Sequence, residues 1–124
     1  MRVGKDLVAA SATPMVLGIL ADGESYGYAI LKRINELSGG ALQWTEGLLY
    51  PLLHRLERLG FVESSWQDVA GERRRKYYRI TDHGLSELAQ QRQQWQTVVD
   101  ALKEIWLGPG EPRPMTVTPL EGLG

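Results

Sequence analysis

A leucine-striped stretch that stops at Gly60 runs straight into a β-hairpin rich in arginine. Leu49, Leu52, Leu53, Leu56 and Leu59 recur at 3–4 spacing. That spacing puts them on one side of an α-helix, and such a stripe needs a core to cover it. Two strand-like runs follow, residues 61–67 and 76–81, around the polar, turn-prone stretch 68–75. An isolated two-stranded hairpin is marginally stable at best, so this one must lie on helices. The chain is therefore expected to be mainly α, in an α+β arrangement.

The remaining segments supply those helices. A first helix is expected within residues 12–21, with Thr13 as its cap and Pro14 at its first position. Residues 6–11 add a turn or a short arm before it. A second helix is expected over residues 26–37, capped by Ser25, with Ile30, Leu31, Ile34 and Leu37 on its apolar face. Ser38-Gly39-Gly40 ends it, since glycine tolerates left-handed dihedrals. Residues 42–44 read as a short strand. Thr45 then caps a third helix over residues 46–59, with Glu46 in its electropositive first turn. Pro51 lies inside that helix, frees the carbonyl of Gly47 and costs up to about 3 kcal/mol. One bent helix is preferred to a helix that starts near Pro51. Thr81 caps a last helix over residues 82–107.

Helix, helix, short strand, helix, strand, basic hairpin, strand, long helix is the order of a winged helix-turn-helix domain with a two- to three-stranded wing. In that arrangement the second helix of the turn unit enters the major groove of DNA. The expected organisation is a winged domain over residues 1–81, a dimerisation helix over 82–107 and a Gly/Pro-rich mobile tail over 108–124. A single domain suits 124 residues.

Charge along the chain says more than its sum. The 14 basic and 15 acidic side chains leave a net charge of −1, which by itself favours no nucleic acid. Yet Arg73, Arg74, Arg75, Lys76 and Arg79 crowd into one short stretch without an acid among them. Clustered charge of this kind binds phosphate by releasing condensed counterions, and arginine also enters a narrow minor groove. A charged hairpin edge that only resists aggregation is the plainer alternative. On the third helix, Gly47 lets the backbone approach a phosphate or base closely. Tyr50 has a hydroxyl to donate, and His54 and Arg55 point away from the leucine stripe.

Gly47-Leu48-Leu49-Tyr50-Pro51-Leu52-Leu53-His54-Arg55-Leu56-Glu57 resembles the recognition-helix signature of the PadR family of transcriptional regulators. That signature runs Gly-Thr-Leu-Tyr-Pro-x-Leu-x-Arg-Leu-Glu. Tyr26-Gly27-Tyr28 resembles the family's His-Gly-Tyr, and residues 74–81 resemble its second wing strand. Leu48 stands where the family usually has Thr, and Tyr26 where it usually has His. The resemblance covers roughly residues 12–107. It implies a winged-helix homodimer that binds double-stranded DNA, usually represses transcription and is often released by a small effector. On this reading Tyr26, Thr45, Gly47, Tyr50, His54, Arg55, Arg73, Arg74, Arg75 and Lys76 are the DNA-binding candidates.

In the last helix, Leu85, Leu88, Arg92, Trp95, Val99, Leu102 and Trp106 alternate at 3 and 4 spacing, a heptad-like seam. Leu85, Leu88, Trp95, Val99, Leu102 and Trp106 are its dimerisation candidates. Packing on the chain's own first helix is the alternative, and similar family members exchange this helix between subunits. Trp95 is also a candidate to line a pocket for a small aromatic effector, with seam packing as the simpler role.

Other function classes find little support. No apolar run approaches the roughly 20 residues that span a bilayer, so no membrane partner is expected. The N-terminal segment, broken by Ser11, Thr13 and Pro14, reads as a helix of the fold rather than a signal peptide. There are no cysteines, which suits the cytoplasm. His54 and Glu57 share a helical face, but two ligands do not make a metal site. No cofactor, metal or catalytic constellation is expected. The chief rival is a winged-helix protein-interaction module without DNA binding.

Overall fold

The computed structural model describes residues 1–71 and 73–108. The leucine stripe forms as the spacing requires. Leu49, Leu52, Leu53 and Leu56 are buried on α3 (Glu46–Arg58). They join Val16, Leu17 and Leu20 of α1 (Lys5–Ala21) and Ile30 and Ile34 of α2 (Gly27–Leu37) in one core. Val62 of β2 (Val62–Gln67) and Tyr78 of β3 (Arg75–Ile80) close it from the sheet side. A further strand, β1 (Ser25–Tyr26), and a long helix, α4 (Asp82–Leu107), complete the described elements.

The sheet is antiparallel in the order β1-β3-β2. Strands β2 and β3 pair from Val62↔Ile80 to Gln67↔Arg75, and β1 adds Ser25↔Tyr78 and Tyr26↔Tyr77. Side chains alternate across a strand. Val62, Ser64 and Trp66 thus share a face with Ile80, Tyr78 and Lys76, while Glu63, Ser65 and Gln67 share the other with Arg79, Tyr77 and Arg75.

Several expectations are corrected. The first helix begins at Lys5, not Ala12, so Pro14 lies inside it and Thr13 is no cap. Val8 and Ala12 extend the buried face of that helix toward its N-terminus, and this apolar continuity outweighs the proline. Pro14 and Pro51 each deprive the carbonyl four residues earlier of its N–H partner. Those carbonyls belong to Ala10 and Gly47, both exposed residues, so water can serve them and the helices run through. The third strand is Ser25–Tyr26, not residues 42–44. Trp44 is instead drawn into the core. Its backbone is clamped by Asn35, whose carboxamide accepts from the Trp44 N–H (3.0 Å) and donates to the Trp44 carbonyl (3.2 Å). That clamp fixes the turn between α2 and α3. Ser25, being in the strand, does not cap α2, whose N-cap is Tyr26. Thr45 occupies the N-cap of α3 without a side-chain capping bond. Leu37 and Leu59, assigned to buried faces, are exposed, Leu37 as the last residue of α2 and Leu59 as the C-cap of α3.

Other expectations hold. The third helix runs unbroken through Pro51. Thr81 caps α4, its hydroxyl accepting from the Gly84 N–H at 3.0 Å. The chain divides into a unit over Met1–Arg92 and another over Gln93–Gly124. The first unit therefore takes in the opening turns of α4, where sequence places the boundary at residue 81. Gly84 and Leu88 explain the difference. Leu88 is buried in the core, and a Cβ at Gly84 would run into the Phe61 carbonyl oxygen. The expected tail lies, Gly108 apart, outside the described residues.

Candidate nucleic-acid interface

With its leucines inside, α3 turns Glu46, Gly47, Tyr50, Pro51, His54, Arg55 and Arg58 to solvent. Gly47, Tyr50 and His54 follow one another at 3 and 4 spacing, so they form a strip along the outer face. Arg58 continues the strip one turn beyond His54. Sequence offered the signal for Arg58, its spacing, but it was not singled out.

Gly47 has no internal duty. A Cβ there would meet only the Thr45 hydroxyl oxygen, at 3.8 Å, an ordinary contact. A glycine inside a helix costs roughly 1 kcal/mol relative to alanine, and nothing in the fold compensates it. Thr45, just before it, is exposed, with its hydroxyl unused for capping. The start of α3 thus presents bare backbone and a hydroxyl to the outside.

Tyr50 has a more constrained place. Its ring lies against Gly27 at the start of α2, where an added Cβ would come within 2.7 Å of the tyrosine Cζ. Gly27 therefore works as a socket. The Tyr-Gly-Tyr and Leu-Tyr-Pro motifs, far apart in sequence, are two sides of one contact. Behind Tyr50 sits Tyr78, whose hydroxyl is pushed above its ordinary value of 10.0 by burial, with the Glu57 carboxylate and Tyr50 adding to the effect. Glu57 is held in turn by the Ser64 hydroxyl, which donates to it at 2.5 Å.

The wing brings cations and rings together. The Arg75 guanidinium lies 4.2 Å from the centroid of the Tyr26 ring, which makes an edge contact with Tyr77 at 5.3 Å. Tyr26, a DNA-binding candidate, is thus half-buried and supports Arg75. Lys76 lies 5.6 Å from the Tyr78 ring and 6.0 Å from Trp66, and Arg74 lies 5.9 Å from Trp66. A ring attracts a cation without neutralising it. Arg73 is exposed beside them. Arg74 and Arg79 also meet acids. Arg74 faces Asp68 at 3.5 Å, and Arg79 pairs with Glu63 on the neighbouring strand. The apparent freedom of Arg79 from acids held only along the sequence, since strand pairing places Glu63 opposite it. Trp66, like Arg58, has no role among the sequence expectations.

A family model for the PadR-like transcriptional regulators matches residues 16–90. This chain belongs to that family. Three solved relatives place the fold alongside known ones. A transcriptional regulator from Clostridium thermocellum is 30% identical, over 82% of this chain and 95% of its own, with a TM-score of 0.75. A PadR-like transcriptional regulator from Bacillus cereus is 28% identical, over 85% and 100%, with a TM-score of 0.75. A PadR family regulator from Eggerthella lenta is 33% identical, over 87% and 88%, with a TM-score of 0.67. The chain is a DNA-binding transcriptional regulator of the winged-helix type. Such regulators are not enzymes. No helix among the described residues is long and apolar enough to cross a membrane.

The other PadR-type candidates lie on α4. Leu88 is already covered by its own core and Leu85 is exposed beside it. In the second unit Trp95 and Val99 are half-buried, while Leu102, Ile105 and Trp106 are exposed.

Proposed function

We propose that this PadR-like chain is a cytoplasmic homodimeric repressor that binds an inverted-repeat operator and is released by a small aromatic effector. In this reading α3 of each subunit lies in the major groove, with half-sites about one helical turn apart. Tyr50, His54 and Arg55 face base edges and nearby phosphates. Thr45 and Gly47 bring backbone close to the DNA strand. Arg73, Arg74, Arg75 and Lys76 hold phosphates or the minor groove, with Arg75 steadied by Tyr26. Leu85, Trp95, Val99, Leu102 and Trp106 pair the subunits, and Trp95 lies where an effector could alter that pairing.

The observation that carries the DNA-facing part is Gly47, the second residue of α3, with open space where its side chain would be. Its cost makes sense if something outside the chain needs that space. The test is Gly47→Ala. Stability is expected to rise by about 0.5–1 kcal/mol, as helix propensity dictates. Binding to a duplex from the chain's own promoter region is expected to weaken several-fold at the same time. A stabilised variant that binds as tightly as the wild type would count against this placement of α3.

A further inference from the structure

Trp66 lies on β2, an outer strand of the sheet, and is 58% exposed. Its direct cross-strand partner is Lys76. The Lys76 ammonium and the Arg74 guanidinium lie 6.0 and 5.9 Å from its ring. The wing therefore carries an exposed indole with two cations near its ring. A large aromatic in water forgoes the stabilisation that burial supplies, and Arg74 faces Asp68 at 3.5 Å in an exposed pair, which contributes little in water and can exchange for a phosphate.

We propose that Trp66 is a DNA-contacting residue of the wing, its indole packing on a deoxyribose while Arg74 and Lys76 reach the phosphates on either side. This rests on the DNA-regulator reading and extends it to a residue outside the Arg cluster. The sugar–phosphate backbone alternates apolar sugars with anionic oxygens, and an apolar ring beside two cations complements it. A protein partner could cover the ring too, but two adjacent cations favour a polyanion. The contact is with backbone, so it carries no sequence preference of its own.

The test uses the full chain with two duplexes, one from its promoter region and one of random sequence, at about 50 and 200 mM salt, the range over which phosphate contacts declare themselves. Trp66→Ala is expected to weaken binding on the order of tenfold on both duplexes. Trp66→Phe, which keeps a ring, should retain most of the affinity and guards against a folding artefact in the alanine variant. The salt slope should be unchanged in Trp66→Ala, since no charge is lost, whereas Arg74→Ala should make it shallower by roughly one phosphate per subunit, about two per dimer. The emission difference between wild type and Trp66→Phe, which isolates Trp66, should change when duplex is added.

Wild-type affinity in Trp66→Ala would overturn the proposal. So would a shallower slope with unaltered Trp66 emission, which would leave the ring only orienting the two cations. Loss of self-association with DNA affinity intact would instead assign the ring to a protein contact. If the wild-type chain binds neither duplex, the DNA-binding reading itself fails. If it binds and only the Trp66 variants behave as wild type, this inference fails alone.

Discussion

Gly27 and Tyr50 form the contact on which the outer face of the recognition helix depends. The tyrosine ring fills the space a side chain at Gly27 would need, so ring and glycine are coupled across two helices. An alanine methyl at Gly27 must push the ring outward. Gly27→Ala is expected to cost about 1–2 kcal/mol, as overpacking does. In a Tyr50→Ala background the cost should fall to near zero, because the obstacle is gone. Denaturant melts of the four proteins of that cycle measure both values, and equal costs in the two backgrounds would refute the coupling. Sequence displayed both motifs and their order, but not that one glycine serves the other's tyrosine. Only the packing of α2 on α3 brings residues 27 and 50 together. The same holds for Arg79, whose acid partner sits on another strand. Trp66 was missed for a different reason: a lone tryptophan in a strand carries no local signal, and its cations arrive through strand pairing and the hairpin fold.

Elements were legible where periodicity was strong and less so where tertiary burial overrode local rules. The stripe Leu49–Leu56 gave α3, and the alternating runs gave β2 and β3 to within a residue at most ends. Thr81 announced the start of α4. The first helix was truncated because Pro14 looked like a helix start, while the burial of Val8 and Ala12 carries the helix back to Lys5. Residues 42–44 looked like a strand because apolar residues flank a polar one, yet Trp44 is held by Asn35 and the core rather than by a ladder. The join between sheet and α4 was invisible in sequence. There the Phe61 carbonyl leaves no room for a Cβ at Gly84, and a backbone atom cannot step aside as a side-chain tip can. Gly84→Ala is therefore expected to destabilise the fold by about 1–3 kcal/mol. Gly18→Ala, inside α1 with nothing within 4 Å, is the control and should stabilise by up to about 1 kcal/mol. A thermal melt that ranks the two variants the other way would contradict this account of the join.

The whole molecule reads as two tasks on one chain. Met1–Arg92 holds the winged domain, and Gln93–Gly124 contains the rest of α4. Val98, Leu102, Ile105 and Trp106 leave that part of the helix with exposed apolar surface. Each large side chain covered contributes about 1.5–3 kcal/mol. The variant Trp95→Asp with Val99→Asp is expected to be monomeric or unfolded by light scattering, and a well-folded dimer would contradict the seam. The family was legible from three motifs, and the wing from its arginines, even though a net charge of −1 pointed nowhere. What sequence could not display was how those charges are disposed: some on aromatic rings, one beside Asp68 and one paired with Glu63. That disposition bears on the central claim, that the wing and α3 together grip DNA. The most direct measurement is the salt dependence of duplex binding by the wild-type chain. With about three wing charges per subunit on phosphates, and so about six per dimer, affinity should fall on the order of a thousandfold between 50 and 200 mM salt. A flat salt response would contradict the wing assignment.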